Sequence, residues 1–584
     1  MKAIGEHSDA VDYIVVGAGS AGCVVANRLS ANPDVSVLLL EAGGPDRWWD
    51  FRIQMPAALT YPLAGTTYNW QFLTEPVPAL NNRRIPYFRG KGLGGSSTIN
   101  GMVYVRGNAM DFDNWAKEPG LSDWSYAQCL PYFRRSETYD QGPDDYRGGD
   151  GPLHVTKGFG LSPLYQVFLE AAHEAGHALV TDMNGYRQEG FGRMDLTIHN
   201  GIRESTARAF LHPVSSRSNL AVCTGAMVSH VAIECGRATG IVFRSRGRDR
   251  TVTAKREVVL CAGAIQSPQI LMLSGIGPAA ELKRHGIRPV QDLPGVGRNL
   301  GDHIEFIVAY QCTRPVTYYP ATKLHRQALI GAQWLATRKG LGASNFFEAG
   351  GFLRSAADIA WPDVQLHFVA LAADYSGRAT SPGHSYQVHL GPQRSLSRGT
   401  VTLRSSSPED PPVIQPNFLA VPEDWAEARA AIRASRHILE QPALRAYRGA
   451  EIRPGARADR DDTLDEYIRE NAETGYHFVG TCRMGSGPDA VVDGQLRVHG
   501  IEALRVIDAS VMPEATNGNT NAPTIMIAER GADFIMNRAL PRSDAPFYRI
   551  GAATRAGSQP PVPDSREHGD PAMGGEGDGA AGGN

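Results

Sequence analysis

Long apolar runs are missing from this chain of 584 residues. No stretch of about 18 consecutive residues is apolar and free of charge, so the sequence predicts no membrane-spanning helix. The N-terminal residues also lack the basic and then apolar order of a secretory signal peptide. We therefore expect a cytoplasmic protein. Peripheral contact with the inner membrane stays open, because attachment to a membrane surface needs no such run.

A strong net charge is absent as well. The chain carries 58 Lys and Arg against 61 Asp and Glu, a net charge of −3 at pH 7. Proteins that bind nucleic acid usually carry a basic excess, so we expect no nucleic-acid partner and no anionic membrane as a main partner. The composition leaves the oligomeric state open.

Cysteine is scarce, and its spacing forms no known pattern. The seven cysteines are scattered, and none belongs to a Cys-x-x-Cys pair. We therefore expect no metal site and no disulfide framework, and reduced thiols fit a cytosolic protein better. Cys482 lies close to His477 in the sequence. A cysteine nucleophile activated by histidine is one interpretation, and a small buried apolar side chain is the preferred one.

The informative part of the chain begins with a dinucleotide-binding pattern. A short apolar run ends in Gly17, Gly19 and Gly22, a helix-like stretch follows, and a second apolar run ends in Glu41. The glycines permit a tight turn, close approach of the backbone to a pyrophosphate and close packing of the helix, whose N-terminus favours phosphate. The Glu41 carboxylate can bind ribose hydroxyls. The pattern alone does not separate FAD from NAD, and a glycine-rich turn without a ligand is the alternative.

A second glycine-rich loop follows at residues 89–102. Gly94 and Gly95 precede two serines, and Asn100 follows shortly after them. Such a loop lets the backbone approach a planar ligand, whereas the alternative is a flexible surface loop. A second cradle far from the first indicates a long cofactor and favours FAD over NAD.

The candidate catalytic residues lie near the other end of the chain. Residues 475–485 place His477 beside Tyr476 and among glycines. A neutral imidazole is a natural base near pH 7 and could take the hydroxyl proton of an alcohol, while a second polar side chain, such as Asn521, could hold the oxygen. A core histidine satisfied by the backbone is the alternative for His477, and we interpret His303 as structural.

The order of predicted elements indicates an α/β fold with two units. The glycine-containing segments predict a Rossmann-like FAD-binding domain. The alternating strands and amphipathic helices after about residue 316 predict an α+β domain with an antiparallel sheet that covers the cofactor and binds substrate. Beyond residue 541 the chain is too poor in apolar residues to fold. The predicted division is 9–160, 202–318 and 475–541 for the FAD-binding domain, 161–201 and 319–474 for the substrate-binding domain, and 542–584 for a disordered tail.

Taken together, these segments resemble the glucose-methanol-choline (GMC) oxidoreductase family. The likeness runs from Asp12 to about Ile535 and includes the N-terminal fingerprint and the segments 89–106 and 263–277. Phrases typical of its choline-oxidising members stand at residues 81–84, 342–345, 348–352, 441–444 and 498–500. Chance agreement of so many motifs is improbable, so the resemblance implies both the fold and FAD.

The resemblance implies a role for each matched position. His477 corresponds to the family's proton-accepting histidine and Asn521 to its partner. Some relatives attach FAD covalently through a histidine in the second glycine loop. Ile99 stands there in this chain, which implies dissociable, non-covalent FAD. The positions implied to contact FAD are Gly17, Gly19, Ser20, Gly22, Glu41, Ala42, Gly94, Gly95, Asn100, Val228, Asp508 and Ala509.

The implied reaction is FAD-dependent oxidation of choline to betaine aldehyde, by hydride transfer to flavin N5 with His477 as the base. The electrons would pass to a respiratory acceptor, and onward oxidation to glycine betaine stays open. Two departures from the family pattern lie near the site: Phe478 replaces the proline usual after the histidine, and Pro523 follows Asn521 by two positions. Because of them, oxidation of another primary alcohol and the lyase activity of some family members remain alternatives.

Choline places its own demand on a binding site. A trimethylammonium group cannot donate hydrogen bonds, so its site needs aromatic faces and a carboxylate. Glu348 and Tyr476 stand where choline-oxidising members carry an acid and an aromatic residue, and Trp70 and Tyr61 are further candidates. The alternative for Glu348 is a surface carboxylate on a strand.

Overall fold

The computed structural model describes residues 10–374 and 379–550. Two seven-stranded sheets form the body of the protein. The helices that pack on them or connect them are Ser20–Leu29, Phe51–Gln54, Ala109–Trp115, Tyr126–Ser136, Pro163–Glu174, Gly263–Leu273, Ala279–Arg284, Leu324–Thr337, Pro422–Leu439, Asp461–Asn471 and Asn521–Ile535.

The first sheet contains the predicted dinucleotide-binding unit. Its centre is the parallel pair Ala10–Val16 and Val37–Glu41, and every residue of the second strand is buried. Strands buried on both faces read as continuous apolar runs, which is why the sequence pattern located them. The other strands are Leu220–Thr224, Ala226–Glu234, Arg237–Ser245, Arg248–Leu260 and Leu504–Val506. The predicted α/β, Rossmann-like arrangement is confirmed.

The second sheet is antiparallel. One face packs against the helices Pro163–Glu174 and Pro422–Leu439, both of which begin with proline in their first turn, where its missing N–H costs nothing. Along Val364–Val369 and Ser385–Pro392, Leu, Phe, Tyr and Val alternate with Gln and His. The strands are Gly190–Arg193, Ile304–Cys312, Ala349–Leu353, Val364–Val369, Ser385–Pro392, Arg448–Arg453 and Glu473–Thr474.

Smaller sheets complete the described chain. A four-stranded sheet contains Val103–Tyr104, Glu137–Tyr139, Leu153–Lys157 and Asp195–Leu196. The two-stranded sheets pair Phe72–Leu73 with Pro86–Tyr87, Ile198–His199 with Ile202–Arg203, Ile276–Gly277 with Gln291–Asp292, and Thr400–Thr402 with Val413–Gln415. None of the helices in the described ranges is both long and apolar enough to cross a bilayer.

The proposed division into domains remains a prediction, with one observation against a boundary. The strand Ile304–Cys312, which the division gave to the FAD-binding domain, pairs with Ser385–Pro392 inside the second sheet. A boundary placed before Ile304 would therefore match the sheets better than one at residue 318.

The beginning of the predicted tail is packed rather than disordered. Phe547 meets the ring of Tyr126 edge to face at 5.4 Å, and the backbone N–H of Ser543 donates to the Ala127 carbonyl. For residues 542–550 the prediction of disorder is wrong, because a few aromatic and backbone contacts are enough to hold a short extended segment. The remaining residues of the predicted tail, 551–584, lie outside the described chain.

A substitution at Gly22 tests the packing of the glycine-rich turn that follows the strand Ala10–Val16. A Cβ at this position would lie 1.8 Å from the carbonyl oxygen of Gly17, whereas one at Gly44 would meet nothing within 4 Å. We expect Gly22→Ala to lower the free energy of unfolding by about 3 kcal/mol or more, because rigid backbone would have to move. Gly44→Ala is the matched control and should leave the melting temperature nearly unchanged. Equal melting temperatures for the two variants would contradict this packing.

Candidate active site

One cavity of about 940 Å³ lies between the two sheets. Residues of the N-terminal fingerprint, including Gly17 and Gly19, line one part of it, and His477 lines another. Both ends of the chain therefore contribute to the same cavity, as the sequence predicted. A hydrogen bond of 2.7 Å from the Ser20 hydroxyl to Asn521 Oδ1 links the two ends at the cavity.

The glycines of the two loops have different roles. Gly19 and Gly95 face each other across 3.8 Å, measured from the Cβ that Gly19 would carry to the Gly95 Cα, and both line the cavity. Gly22 and Gly94 do not line it. Gly22 packs against Gly17, and the N–H of Gly94 donates to the Ala18 carbonyl at 2.8 Å. These two glycines therefore shape the cradle without facing its interior.

Glu41 joins the two glycine loops. Its carboxylate accepts backbone N–H groups from Ala18 at 2.9 Å, Gly43 at 2.8 Å and Gly92 at 2.9 Å. Burial raises the pKa of this carboxyl, and the three N–H donors oppose the shift. Glu41 also lines the cavity.

The remaining predicted cofactor residues also lie at the cavity. Asn100 Oδ1 accepts a hydrogen bond of 2.9 Å from buried Arg203, which fixes the second glycine loop. Asp508 accepts N–H groups from Gly263 and Ser510. The other predicted cofactor residues that line the cavity are Ser20, Ala42, Asn100, Val228, Asp508 and Ala509. Ile99 lines it as well, at the position where some relatives carry a histidine that binds FAD covalently.

His477 is held by three neighbours. Its backbone N–H donates to Asp302 Oδ1 at 2.9 Å, its Nδ1 lies 2.9 Å from Nδ1 of His303, and its Nε2 lies 3.1 Å from the amide nitrogen of Asn519. Gln365 donates to Asn519 Oδ1, so the Asn519 NH₂ group faces His477. This network assigns the proton of His477 to Nδ1 and the lone pair to Nε2.

The surroundings keep His477 neutral. Burial, and then the positive charges that His303, His367 and Arg89 can carry, hold its pKa well below the ordinary value of 6.5. Burial likewise lowers the pKa of His303 to about 4. A neutral imidazole with an available Nε2 lone pair can accept a proton at neutral pH.

The prediction that Asn521 is the partner of His477 is wrong. Asn521 is the first residue of the helix Asn521–Ile535, and its side-chain oxygen accepts the Ser20 hydroxyl. Asn519 lies in the preceding turn and takes the predicted role beside His477. Asn521 still lines the cavity. Its side chain connects the C-terminal helix to the dinucleotide fingerprint rather than to the base.

The prediction that Glu348 contacts substrate is also wrong. Its side chain is fully buried outside the cavity, where it accepts the Ser344 hydroxyl at 2.7 Å and the Leu161 N–H at 3.1 Å. Both carboxylate oxygens are thus used by local structure.

Glu305, unlike Glu348, faces the cavity from the side of the second sheet. It follows His303 by two positions at the start of the strand Ile304–Cys312, so both side chains point to the same face. Its Oε1 lies 2.6 Å from Nδ1 of His389. Directly across the sheet from His389 stands His367, and both rings lie 5.5–5.8 Å from the ring of Phe347.

These residues were missed although the sequence contained a signal for them. His and Gln alternate with large apolar residues in two strands that were correctly read as antiparallel. The polar set Gln365, His367, Gln387 and His389 faces the cavity. Polar residues on one face of an otherwise apolar strand indicate that this face meets either solvent or a polar site. Because these strands are buried, the pattern indicates a polar site.

The predicted aromatic residues line the cavity at different depths. Tyr476 stacks on Phe88 with ring centroids 5.7 Å apart, and it adopts a left-handed φ of 62° immediately before His477. Such a backbone is uncommon outside glycine and often marks a functional turn. Trp70 stacks on a neighbouring ring, and Tyr61 is 46% exposed at the mouth.

Cys482 matches the preferred interpretation of a buried apolar side chain. It is fully buried, it does not line the cavity, and burial raises the pKa of its thiol far above the ordinary value. A thiol in this environment is a poor nucleophile.

Phe478 has a structural role in this chain. Its ring is buried between the ring of Tyr87, 3.9 Å away, and the guanidinium of Arg89, 4.4 Å away. Arg89 in turn donates to the Tyr476 carbonyl at 2.7 Å. A proline could not form this stack, so the departure from the family pattern supports the turn that carries His477.

Truncation of Phe478 tests this role. Phe478→Ala should lower the free energy of unfolding by about 3–5 kcal/mol, because it leaves a cavity beside a buried cation. The matched control is Phe159→Ala, since that phenylalanine is 45% exposed and its loss should be nearly neutral in the same chemical denaturation experiment. A stability loss below about 1 kcal/mol for Phe478→Ala would contradict the structural assignment.

Comparison with known proteins agrees with the fold. The two profiles of the GMC oxidoreductase family match residues 11–305 and 395–528. The chain is 54% identical over 547 residues to oxygen-dependent choline dehydrogenase 1 of Chromohalobacter salexigens, covering 93% of this chain and 98% of that protein. It is 53% identical over 544 residues to the oxygen-dependent choline dehydrogenase of Escherichia coli O157:H7, covering 92% and 96%.

Among solved structures, pyridoxine 4-oxidase from Mesorbium loti superposes with a TM-score of 0.81 at 32% identity, covering 91% of this chain and all of that one. A variant of Aspergillus oryzae formate oxidase superposes with a TM-score of 0.84 at 28% identity, covering 91% and 98%. The family profiles match more than half of the chain, and the curated relatives align over nearly all of it. This protein belongs to the GMC oxidoreductase family.

Proposed function

We propose that the protein is an FAD-dependent dehydrogenase that oxidises choline to betaine aldehyde. The observation that carries the proposal is the pairing of His477 with Asn519 in a cavity that also contains a dinucleotide fingerprint and the Glu305 carboxylate. The curated relatives named as choline dehydrogenases align over almost the entire chain, which supports choline as the substrate.

The cavity fits a long, flat cofactor such as FAD. Side chains are absent where the two glycine loops meet, and a Cβ at Gly95 would lie only 2.6 Å from the Gly19 Cα. The helix Ser20–Leu29 has no acidic residue in its first turn, so its N-terminus can receive a pyrophosphate. Ile99 offers no nucleophilic atom, and we therefore propose that FAD is held without a covalent bond. When bound, FAD would supply the acceptor for two electrons from the alcohol carbon.

His477 acts as the base in this proposal. Its Nε2 takes the hydroxyl proton, which is possible at neutral pH because burial keeps the imidazole unprotonated. The amide of Asn519 then donates a hydrogen bond to the substrate oxygen as negative charge develops on it. His303 holds the imidazole at Nδ1, and Asp302 fixes the backbone of His477, so the ring is positioned before proton transfer.

Glu305 provides the charge that recognises choline. A trimethylammonium group binds best between aromatic faces with one carboxylate nearby, and Tyr476 and Phe347 supply such faces on the same cavity. Glu348, the residue predicted for this role, lies outside the cavity. Because an aldehyde hydrate carries the same hydroxyl group as an alcohol, the site could also accept the hydrate of betaine aldehyde.

Two electron acceptors are compatible with the proposal. The names of the relatives describe oxygen-dependent enzymes. A respiratory acceptor is the alternative to oxygen. Anaerobic reduction of FAD by choline, followed by exposure to air, distinguishes the two acceptors by the rate at which FAD is reoxidised.

The roles of His477, Asn519 and Asn521 can be separated by stopped-flow measurement of FAD reduction by choline. His477→Ala should slow reduction by about 100-fold or more, and Asn519→Ala by about 100-fold, with FAD still bound in both. Asn521→Ala should mainly weaken FAD binding, because it loses the bond to Ser20. A larger loss of rate in Asn521→Ala than in Asn519→Ala would contradict the assigned partner.

The two carboxylates give a matched test of substrate recognition. Glu305→Gln should raise the dissociation constant of choline by about tenfold or more while changing that of a neutral primary alcohol little. Glu348→Gln is the control, and it should affect both alcohols equally, through stability alone. Equal effects of Glu305→Gln on the charged and the neutral alcohol would show that Glu305 does not bind the cation.

A further inference from the structure

The turn of residues 516–520 places Asn519 beside His477, with the Asn519 amide nitrogen 3.1 Å from His477 Nε2. We call these residues the asparagine turn, and its backbone has little freedom. Gly518 adopts a left-handed φ of 99°, and a Cβ at this position would lie 2.5 Å from Cγ1 of Val105, so only glycine fits without a shift. The contacts that hold this turn therefore decide where Asn519 stands.

Asp111 holds the asparagine turn from the N-terminal part of the chain. It is the third residue of the helix Ala109–Trp115, and its side chain is buried. Its Oδ2 accepts the backbone N–H of Asn517 at 2.7 Å and the backbone N–H of Asn108 at 2.7 Å. The bond to Asn108 belongs to the capping box at the start of the helix. The bond to Asn517 is not needed for that cap, so it requires a separate explanation.

A loop before the strand Val364–Val369 also meets Asp111 and the asparagine turn. The indole N–H of Trp361 donates to the other carboxylate oxygen of Asp111, Oδ1, at 3.1 Å. Beside it, the Pro362 carbonyl accepts the side-chain amide of Asn517. The Asp111 carboxylate therefore receives hydrogen bonds from three segments: the start of its own helix, this loop and the asparagine turn.

Two glutamines hold the asparagine turn from the second sheet. The backbone N–H of Gly518 donates to Gln393 Oε1 at 2.6 Å, and Gln365 donates to Asn519 Oδ1 at 3.2 Å. Both glutamines line the cavity, whereas Asp111 does not. Asp111 can therefore influence a reaction in the cavity only through the turn that it holds.

The charge of Asp111 strengthens this contact. Burial raises the pKa of Asp111 to about 6, and the backbone N–H groups of Asn517 and Asn108 oppose the shift, so the group is mostly a carboxylate at neutral pH. Hydrogen bonds to an ionised acceptor are roughly twice as strong as those between neutral groups. Because a buried charge is costly when it lacks hydrogen bonds, movement of the turn away from Asp111 would be unfavourable.

We propose that Asp111 is a positioning residue for the oxidation of the alcohol. By fixing the backbone of Asn517, it sets the place of Asn519, two residues further on, beside Nε2 of His477. The inference rests on the proposed function, in which Asn519 donates to the substrate oxygen. A displacement of about 1 Å at a group near the reacting atoms can slow a reaction by about 100-fold, so a contact outside the cavity can control the rate.

Stopped-flow reduction of FAD by choline in the holoenzyme tests the proposal. Asp111→Leu introduces a side chain of similar branched shape that has no acceptor, and it should slow reduction by about tenfold or more. The dissociation constant of choline should stay within about twofold, because Asn519 acts on charge that develops during the reaction. Asp113→Leu is the matched control on the same helix. The Asp113 carboxylate accepts the Tyr126 N–H at 3.0 Å and pairs with Arg549, so its loss should leave the rate of reduction unchanged.

A double-mutant cycle separates positioning from a general loss of stability. If Asp111 acts through Asn519, Asp111→Leu should slow FAD reduction by less than about twofold in a chain that already carries Asn519→Ala. A further loss of about tenfold in that background would overturn the inference, because the effect of Asp111 would then not pass through Asn519.

Amide hydrogen exchange of the asparagine turn gives a readout that needs no substrate. In the wild-type holoenzyme the N–H groups of Asn517 and Gly518 should exchange slowly, and Asp111→Leu should raise their exchange rates by about tenfold or more. Fast exchange of both groups in the wild type would overturn the inference even if Asp111→Leu does not fold. If choline does not reduce FAD in the wild type, the proposed function fails, and the exchange rates still decide whether Asp111 holds the turn.

Discussion

The pairing of the first and last helices of the body is the constraint on which the site depends. Two contacts join Ser20–Leu29 to Asn521–Ile535 at the same sequence separation of 501 residues: Ser20 with Asn521, and Arg28 with Glu529. The Glu529 carboxylate is completely buried and pairs with both Arg28 and Arg135, and the loss of these partners would leave a buried charge unpaired. Because Asn519 lies two residues before the second helix begins, this packing also sets where the partner of His477 stands. The fold thereby makes one site from residues at opposite ends of the chain.

Burial of His477 at this position then keeps its imidazole neutral and able to accept a proton. Burial, and then the positive charges that His303, His367 and Arg89 can carry, disfavour the imidazolium of His477. Asp302 could have opposed this effect as a carboxylate, but burial raises its pKa to about 7. Its oxygens accept the Thr474 hydroxyl and the His477 backbone N–H rather than the ring. The same low polarity that makes a free base available also strengthens the hydrogen bond that Asn519 can offer to a developing negative charge.

The sequence predicted the framework of the fold and the base, but not every polar residue around them. The fingerprint at Gly17 and the histidine at 477 were found because their spacing is local and tied to a turn. The partner was placed at Asn521 rather than Asn519, because the answer depends on where a helix begins, and sequence patterns locate helix ends to within only a few residues. Glu348 was assigned from the family resemblance, and only tertiary packing shows that Glu305 meets the cavity while Glu348 does not. The packed segment 542–550 was missed for the same reason.

The central claim is that His477 is a buried imidazole that stays neutral and accepts the substrate proton. The most direct test is the pH dependence of the rate constant for FAD reduction by choline in single-turnover experiments. Since burial lowers the pKa of His477 below 6.5, the deprotonated form persists to lower pH than for an exposed histidine. The account predicts a rate that is constant through neutral pH and falls only at pH values below about 6.5. An acidic limb with an apparent pKa of about 7 or higher would contradict it, because the imidazole would then be easier to protonate than in water.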